Sequence, residues 1–159
     1  MRSIIGQQVS VERARHLNGV LVSRCGGGAF PSPRGVLEAD LAGMGMPGAR
    51  VATLKTMAEA ALADARLFER SLTLDGTIAK LKGIRGIGDW TAHYIAMRAC
   101  REPDAFPESD VGLLRGAAQD GRRPTPAQLL ERAETWRPWR AYAAHHLWAV
   151  DPASSTRPT

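Results

Sequence analysis

Residues 81–97, LKGIRGIGDWTAHYIAM, constrain the fold more than any other part of this chain. They read as two short helical stretches joined by a hairpin in which Ile84 and Ile87 alternate with Gly83, Gly86 and Gly88. Glycines at such positions permit positive φ and let the backbone approach another molecule closely. The helix expected to start at Asp89 offers unpaired N–H groups and a positive dipole end, which suits a phosphate. Nothing in this arrangement reads bases, so it would grip a nucleic-acid backbone without sequence preference. A tight helix–helix turn with no ligand is the competing reading, and the full glycine–hydrophobic alternation favours the phosphate.

The remaining pattern is helical throughout. Ser10 is placed to cap a helix through Val11, Ala14, Leu17 and Leu21, ended by Cys25 and the Gly26-Gly27-Gly28 run. Ser32-Pro33 reads as an N-cap with proline at the first helical position, opening a short helix to Ala39. After a turn over residues 43–48, the apolar positions Val51, Leu54, Met57, Ala61, Leu62 and Ala65 predict a helix over 50–68. Further helices are expected from about Asp75 to Lys82, from Asp89 with Trp90, Tyr94 and Met97 on one stripe, from about Leu113, from Thr125-Pro126, and from about Trp139 to Val150. Trp136 and Trp139 are assigned to core packing. No alternating strand pattern or internal repeat is present, and residues 151–159 read as a disordered tail.

A chain of 159 residues suits one domain or two small lobes, and buries enough surface to need no staple. No apolar run approaches the ~20 residues of a spanning helix, and the N-terminus shows no signal-peptide core. A cytoplasmic protein with no membrane partner is therefore expected. Cys25 and Cys100 are too few for a disulfide framework, a four-thiolate zinc site or a four-cysteine iron–sulfur cluster. The net charge is +5, and only Lys55, Lys80 and Lys82 among the 21 basic residues are lysines. Arginine's planar fork suits phosphate, so a nucleic-acid partner fits, although a GC-rich coding sequence enriches Arg and Ala as well.

The hairpin segment resembles the helix-hairpin-helix of the base-excision DNA glycosylases, and its surroundings are similar to DNA-3-methyladenine glycosylase II, the AlkA type. The matching pieces run in family order: Ile4-Ile5-Gly6-Gln7-Gln8-Val9-Ser10, Phe30-Pro31-Ser32-Pro33 and Gly45-Met46-Pro47. They continue through Gly86-Ile87-Gly88-Asp89-Trp90-Thr91-Ala92, the run from Asp104 to Asp110, Trp136-Arg137-Pro138-Trp139-Arg140 and His146-Leu147-Trp148. The resemblance covers roughly residues 2–150. It implies an all-α fold of two helical lobes with the active-site cleft between them.

The resemblance also assigns roles. Gly86, Gly88 and the Thr91 amide would hold a DNA phosphate, with Gln7 and Gln8 also meeting the DNA. Main-chain carbonyls of Lys82, Ile84 and Ile87 would bind a structural Na+ or K+. Asp110 would be the catalytic group. A glycosylase takes its target base out of the stack and breaks the bond to C1′ through an oxocarbenium-like state. A carboxylate beside C1′ stabilises that charge and can orient or deprotonate the attacking water. From local sequence alone, Asp110 or Ser109 reads as the N-cap of the helix near Val111, and Asp104 and Glu108 are the competing carboxylates. Trp90, Tyr94 and Trp148 would form the pocket for a positively charged alkylated purine, which calls for π faces more than a strong acid.

In bifunctional relatives such as endonuclease III, a lysine at the position of Trp90 attacks C1′ and leads to strand cleavage. Tryptophan there implies a monofunctional hydrolase that leaves an abasic site. The expected partner is double-stranded DNA with alkylated bases, bound by a monomer at the nucleoid, with no cofactor for the chemistry itself. Two positions depart from the family pattern: Gln8 stands where a leucine wedge is common, and Val111 replaces a common aromatic. Full family members carry an N-terminal α/β lobe, so the chain is expected to be a fragment, a compact variant or part of a longer Ada/AlkA-type fusion. A non-catalytic DNA-gripping module, and a glycosylase for uracil or hypoxanthine, remain as alternatives.

Overall fold

A computed structural model describes residues 1–6, 9–26 and 30–151, without the side chains of Arg2 and Val11. Gln7, Gln8 and residues 152–159 of the expected tail lie outside the described residues, whereas Asp151 is buried and bonded to Arg115, so the ordered part runs one residue further than expected. Among the described residues every regular element is a helix, apart from one isolated bridge between Gln119 and Arg122. None of these helices is long and apolar enough to cross a membrane.

The chain divides into two compact units. The first comprises Met1–Glu69 and Ala79–Gly88. It holds α1 (Arg2–Ile5), α2 (Val11–Gly26), α3 (Pro33–Glu38), α4 (Gly48–Ala63) and the hairpin that follows α5. Its core includes Ile4, Leu17, Val36, Leu54 and Leu81, all fully buried. Ser10 and Ser32 cap α2 and α3 as expected: Ser32 Oγ accepts from Gly35 N at 3.0 Å, and Ser10 Oγ from Arg13 N at 3.2 Å. Two arginines brace the loop before α4, Arg13 on the carbonyl of Gly45 and Arg24 on those of Asp40 and Ala42. Part of the arginine content is thus spent on structure.

Helix α4 ends at Ala63, five residues short of the expected Phe68. Asp64 turns extended (φ −132°, ψ 102°), and its side chain accepts from Arg66 N at 2.8 Å. An aspartate that bonds the backbone two residues on competes with the helix and stops it. α1 was not signalled by any cap.

The second unit comprises Arg70–Ile78 and Asp89–Thr159, with α5 (Leu74–Lys82) running across the division of the chain. Its helices are α6 (Asp89–Arg98), α7 (Val111–Gly116), α8 (Pro126–Ala133) and α9 (Arg140–Val150), with a 3-10 turn at Glu134–Trp136. Ala92, Phe106, Leu113, Leu129 and Ala144 form its core. Thr125 and Gln128 close a reciprocal capping box at α8. The core face of α6 is Thr91, Ala92, Ile95, Ala96 and Met97, while Trp90 and Tyr94 are only half-buried. Met97 continues the stripe of the two aromatics and is buried where they are half-buried. Trp139 is 57% exposed and packs edge-on against Tyr142, which corrects its assignment to the core. Trp136 is half-buried and meets the buried Phe106 edge-on at 6.0 Å.

Candidate active site

In the first unit, the hairpin needs glycine at position 86 for two reasons. Its φ is +90°, and a Cβ there would fall 2.1 Å from Oγ1 of Thr53 on α4. That threonine is turned by its own bond to the Ala49 carbonyl at 3.0 Å. Gly88 is different: a Cβ would meet nothing within 4 Å, so its side is open. Ile84 and Ile87 are buried and anchor the turn, with Ile87 N donating to Ile84 O at 3.0 Å. Thr91, the other expected phosphate contact, lies in the second unit with its side chain buried.

The second unit brings together Asp110, Trp90, Tyr94 and Trp148. Asp110 is the N-cap of α7, with Oδ1 accepting from Leu113 N at 3.0 Å. The same oxygen accepts from Trp148 Nε1 at 2.8 Å, and Oδ2 accepts from Trp90 Nε1 at 2.9 Å. Three N–H donors thus fix the carboxylate in position and rotation. An ionised carboxylate has about four lone-pair sites, so one side of Oδ2 stays uncommitted. The capping role and the candidate catalytic role belong to one residue, because a cap aims the carboxylate at the end of a helix and the two indoles finish the orientation.

Tyr94 stacks on Trp90 with ring centroids 5.4 Å apart, meets Trp148 at 5.8 Å, and has the Arg98 guanidinium 6.0 Å from its ring centre. The aromatic trio is therefore assembled, but the indole N–H groups face the carboxylate rather than standing free.

Two glycines missing from the sequence reading make this possible. A Cβ on Gly116 would lie 2.0 Å from the Leu147 carbonyl oxygen, so α7 and α9 pack backbone to backbone there. One turn earlier, Gly112 faces Trp148 and Asp110. Their four-residue spacing was the available signal. Arg115 closes the same helix pair with two bonds to Asp151, at 2.8 and 2.7 Å.

Of the two competing carboxylates, Asp104 is engaged elsewhere. Asp104 is buried and bonds both Arg137 and Arg140, the latter at 2.8 and 3.0 Å. Glu134 joins this network, and Arg137 beside it holds its carboxyl below the usual range. Asp104 therefore anchors the segment leading to Asp110. Among the described residues no group of three or more His, Cys, Asp or Glu is arranged to hold a metal.

No protein-family model matches the chain. It is 37% identical over 166 residues to the probable bifunctional transcriptional activator/DNA repair enzyme AlkA of Mycobacterium tuberculosis, covering 94% of this chain and 32% of that protein. It is 34% identical over 164 residues to DNA-3-methyladenine glycosylase 2 of Escherichia coli, covering 95% of this chain and 56% of that one. The chain thus spans about a third to just over half of these relatives. The solved 3-methyladenine DNA glycosylase of Schizosaccharomyces pombe, in complex with abasic DNA, superposes with a TM-score of 0.80 at 25% identity, over 92% of this chain and 76% of that one. That of Archaeoglobus fulgidus gives a TM-score of 0.83 at 22% identity, over 98% and 58%, and supports the fold. The fold is that of the helix-hairpin-helix DNA glycosylases. Within that class, the chain is similar over nearly its whole length to the AlkA-type DNA-3-methyladenine glycosylases.

Proposed function

We propose that the chain is the helical core of a monofunctional DNA glycosylase that hydrolyses the N-glycosidic bond of alkylated purines and leaves an abasic site. The observation that carries this reading is the Asp110 carboxylate held by the indoles of Trp90 and Trp148 with Oδ2 partly free. A fixed carboxylate stabilises the positive charge that develops at C1′ without having to reorganise as it forms. Its remaining lone pair is suited to orienting the water that completes hydrolysis. The names of the AlkA and 3-methyladenine glycosylase relatives support alkylated purines as substrate, and the abasic-DNA complex of the S. pombe enzyme supports duplex DNA as partner.

In this reading Gly86, Gly88 and the Thr91 amide meet the DNA backbone, and Gln7 and Gln8 meet the duplex. Trp90, Tyr94 and Trp148 line the base pocket. The carbonyls of Lys82, Ile84 and Ile87 are hard oxygen donors of the kind Na+ or K+ prefers. The Ile84 carbonyl keeps a second lone pair after accepting from Ile87 N. A bound cation would supply positive charge toward a phosphate. The protein acts as a monomer in the cytoplasm, at the nucleoid.

The lyase question turns on Trp90, which cannot attack C1′ as an amine. The test incubates the chain with methylated duplex DNA and assays free base and strand breaks separately. Free 3-methyladenine with breaks only after alkali is the expected result. A borohydride-trapped protein–DNA adduct would contradict it.

A further inference from the structure

Three contacts tie α6 to the segment that delivers Asp110. The Ala96 carbonyl accepts from Glu102 N at 2.9 Å, His93 Nδ1 accepts from Phe106 N at 3.2 Å, and Trp90 Nε1 donates to Asp110 Oδ2 at 2.9 Å. Residues 96, 93 and 90 lie three apart on one face of α6, and residues 102, 106 and 110 lie four apart along the facing segment. His93 is the middle rung. It is also the one rung able to change protonation state near neutral pH without being the candidate catalytic group.

We propose that His93 is a positioning residue for Asp110: its neutral imidazole latches the segment through Phe106 N–H, and protonation releases the latch and sets the acidic limit of base excision. This rests on the glycosylase reading. An imidazolium carries hydrogens on both nitrogens, so Nδ1 can no longer accept. Phe106 is 1% exposed and packed against Trp136, so water cannot take over as acceptor. The Phe106 amide must then move, and Asp110 lies four residues downstream.

The charges around His93 are Glu108 on the same segment, Asp89 on α6, Asp75 on α5 and Arg140 on α9. The three carboxylates favour the imidazolium, whereas Arg140 opposes it. Burial is the largest influence and holds the imidazole below the ordinary histidine value of 6.5. The latch is therefore closed at neutral pH and opens in mild acid.

The test compares wild type, His93→Asn and His93→Leu from about pH 8 to about pH 5. Asparagine can place an acceptor near Nδ1 and does not titrate, whereas leucine fills the space without one. The first readout is single-turnover base release from methylated duplex DNA. The second, independent of activity, is the NMR signals of the Phe106 amide and the Trp90 indole N–H. Wild type should lose about tenfold or more in rate as His93 titrates, with both signals following the same pKa. His93→Asn should keep the neutral-pH rate to within about threefold and move the acid limb to lower pH, and His93→Leu should be slow throughout. An unchanged acid limb in His93→Asn, or a Trp90 signal that ignores the His93 titration, overturns the latch. Absence of base release from wild type at every pH overturns the glycosylase reading instead, and the Trp90 signal still decides the latch.

Discussion

Trp148 reaches Asp110 across a glycine: a Cβ on Gly112 would sit 2.9 Å from Cδ1 of the indole and 3.0 Å from Oδ1 of the carboxylate. The 2.8 Å bond between those two side chains therefore depends on a residue that contributes no atoms to it.

Gly112→Ala should displace both partners. The crowding costs about 1–3 kcal/mol of stability. Displacing the carboxylate from its working position should slow base release by up to about a hundredfold. Gly116→Ala strikes backbone rather than side chain, at 2.0 Å from Leu147 O, and should lower the unfolding midpoint further. Urea unfolding together with single-turnover kinetics checks both, and a Gly112→Ala protein with wild-type rate would show that the bond is dispensable.

Trp148→Phe separates the two roles of the indole. Phenylalanine keeps a ring but removes the Nε1 donor to Asp110. A hydrogen bond to a charged group is worth about 1.5–3 kcal/mol, or roughly a ten- to hundredfold loss in rate. The loss should appear in the chemical step rather than in DNA affinity. If affinity for damaged duplex falls and the rate at saturation does not, Trp148 acts as a stacking face alone.

The sequence pattern revealed what depends on a few neighbouring residues and hid what depends on the path of a loop. Ser32-Pro33 and Thr125-Pro126 mark their helix starts because a cap is a local bond, and the hairpin glycines mark the turn because Gly86 takes a φ of +90°. The overrun of α4 past Ala63 came from apolar spacing that continues after Asp64 has already turned the chain. Trp139 departs from the expected core because it precedes α9 and stands exposed there, and aromatic character alone does not record that position. Asp110 and the aromatic residues were legible through resemblance, the aromatics as stacking faces. That the indoles bond Asp110, and that His93 holds Phe106, depends on how residues 101–110 fold back along α6, which no local spacing records.

Asp104→Asn should act on stability. Asp104 and Arg140 are both buried, and removing one partner of such a pair costs about 3–5 kcal/mol. Denaturant unfolding should show the loss, while base release per folded molecule should hold at low temperature. A fully stable but inactive Asp104→Asn protein would move the catalytic role away from Asp110.

Acid should destabilise the fold through His93. Burial lowers the value of His93 from the 6.5 of an unfolded chain. Between 6.5 and the folded value the unfolded state binds more protons, so stability rises with pH across that window. The contribution is complete above 6.5 and is lost as pH falls through the window below it. Thermal unfolding at several pH values should show this slope, and His93→Asn should flatten it.

The most direct measurement is single-turnover release of 3-methyladenine from methylated duplex DNA by wild type and Asp110→Asn, with DNA binding measured alongside. Asparagine keeps the cap and one acceptor but removes the negative charge at the reacting sugar. If Asp110 stabilises the charge at C1′, DNA affinity stays near unchanged and the rate falls by about a hundredfold or more. An Asp110→Asn protein that releases base at the wild-type rate would contradict that role.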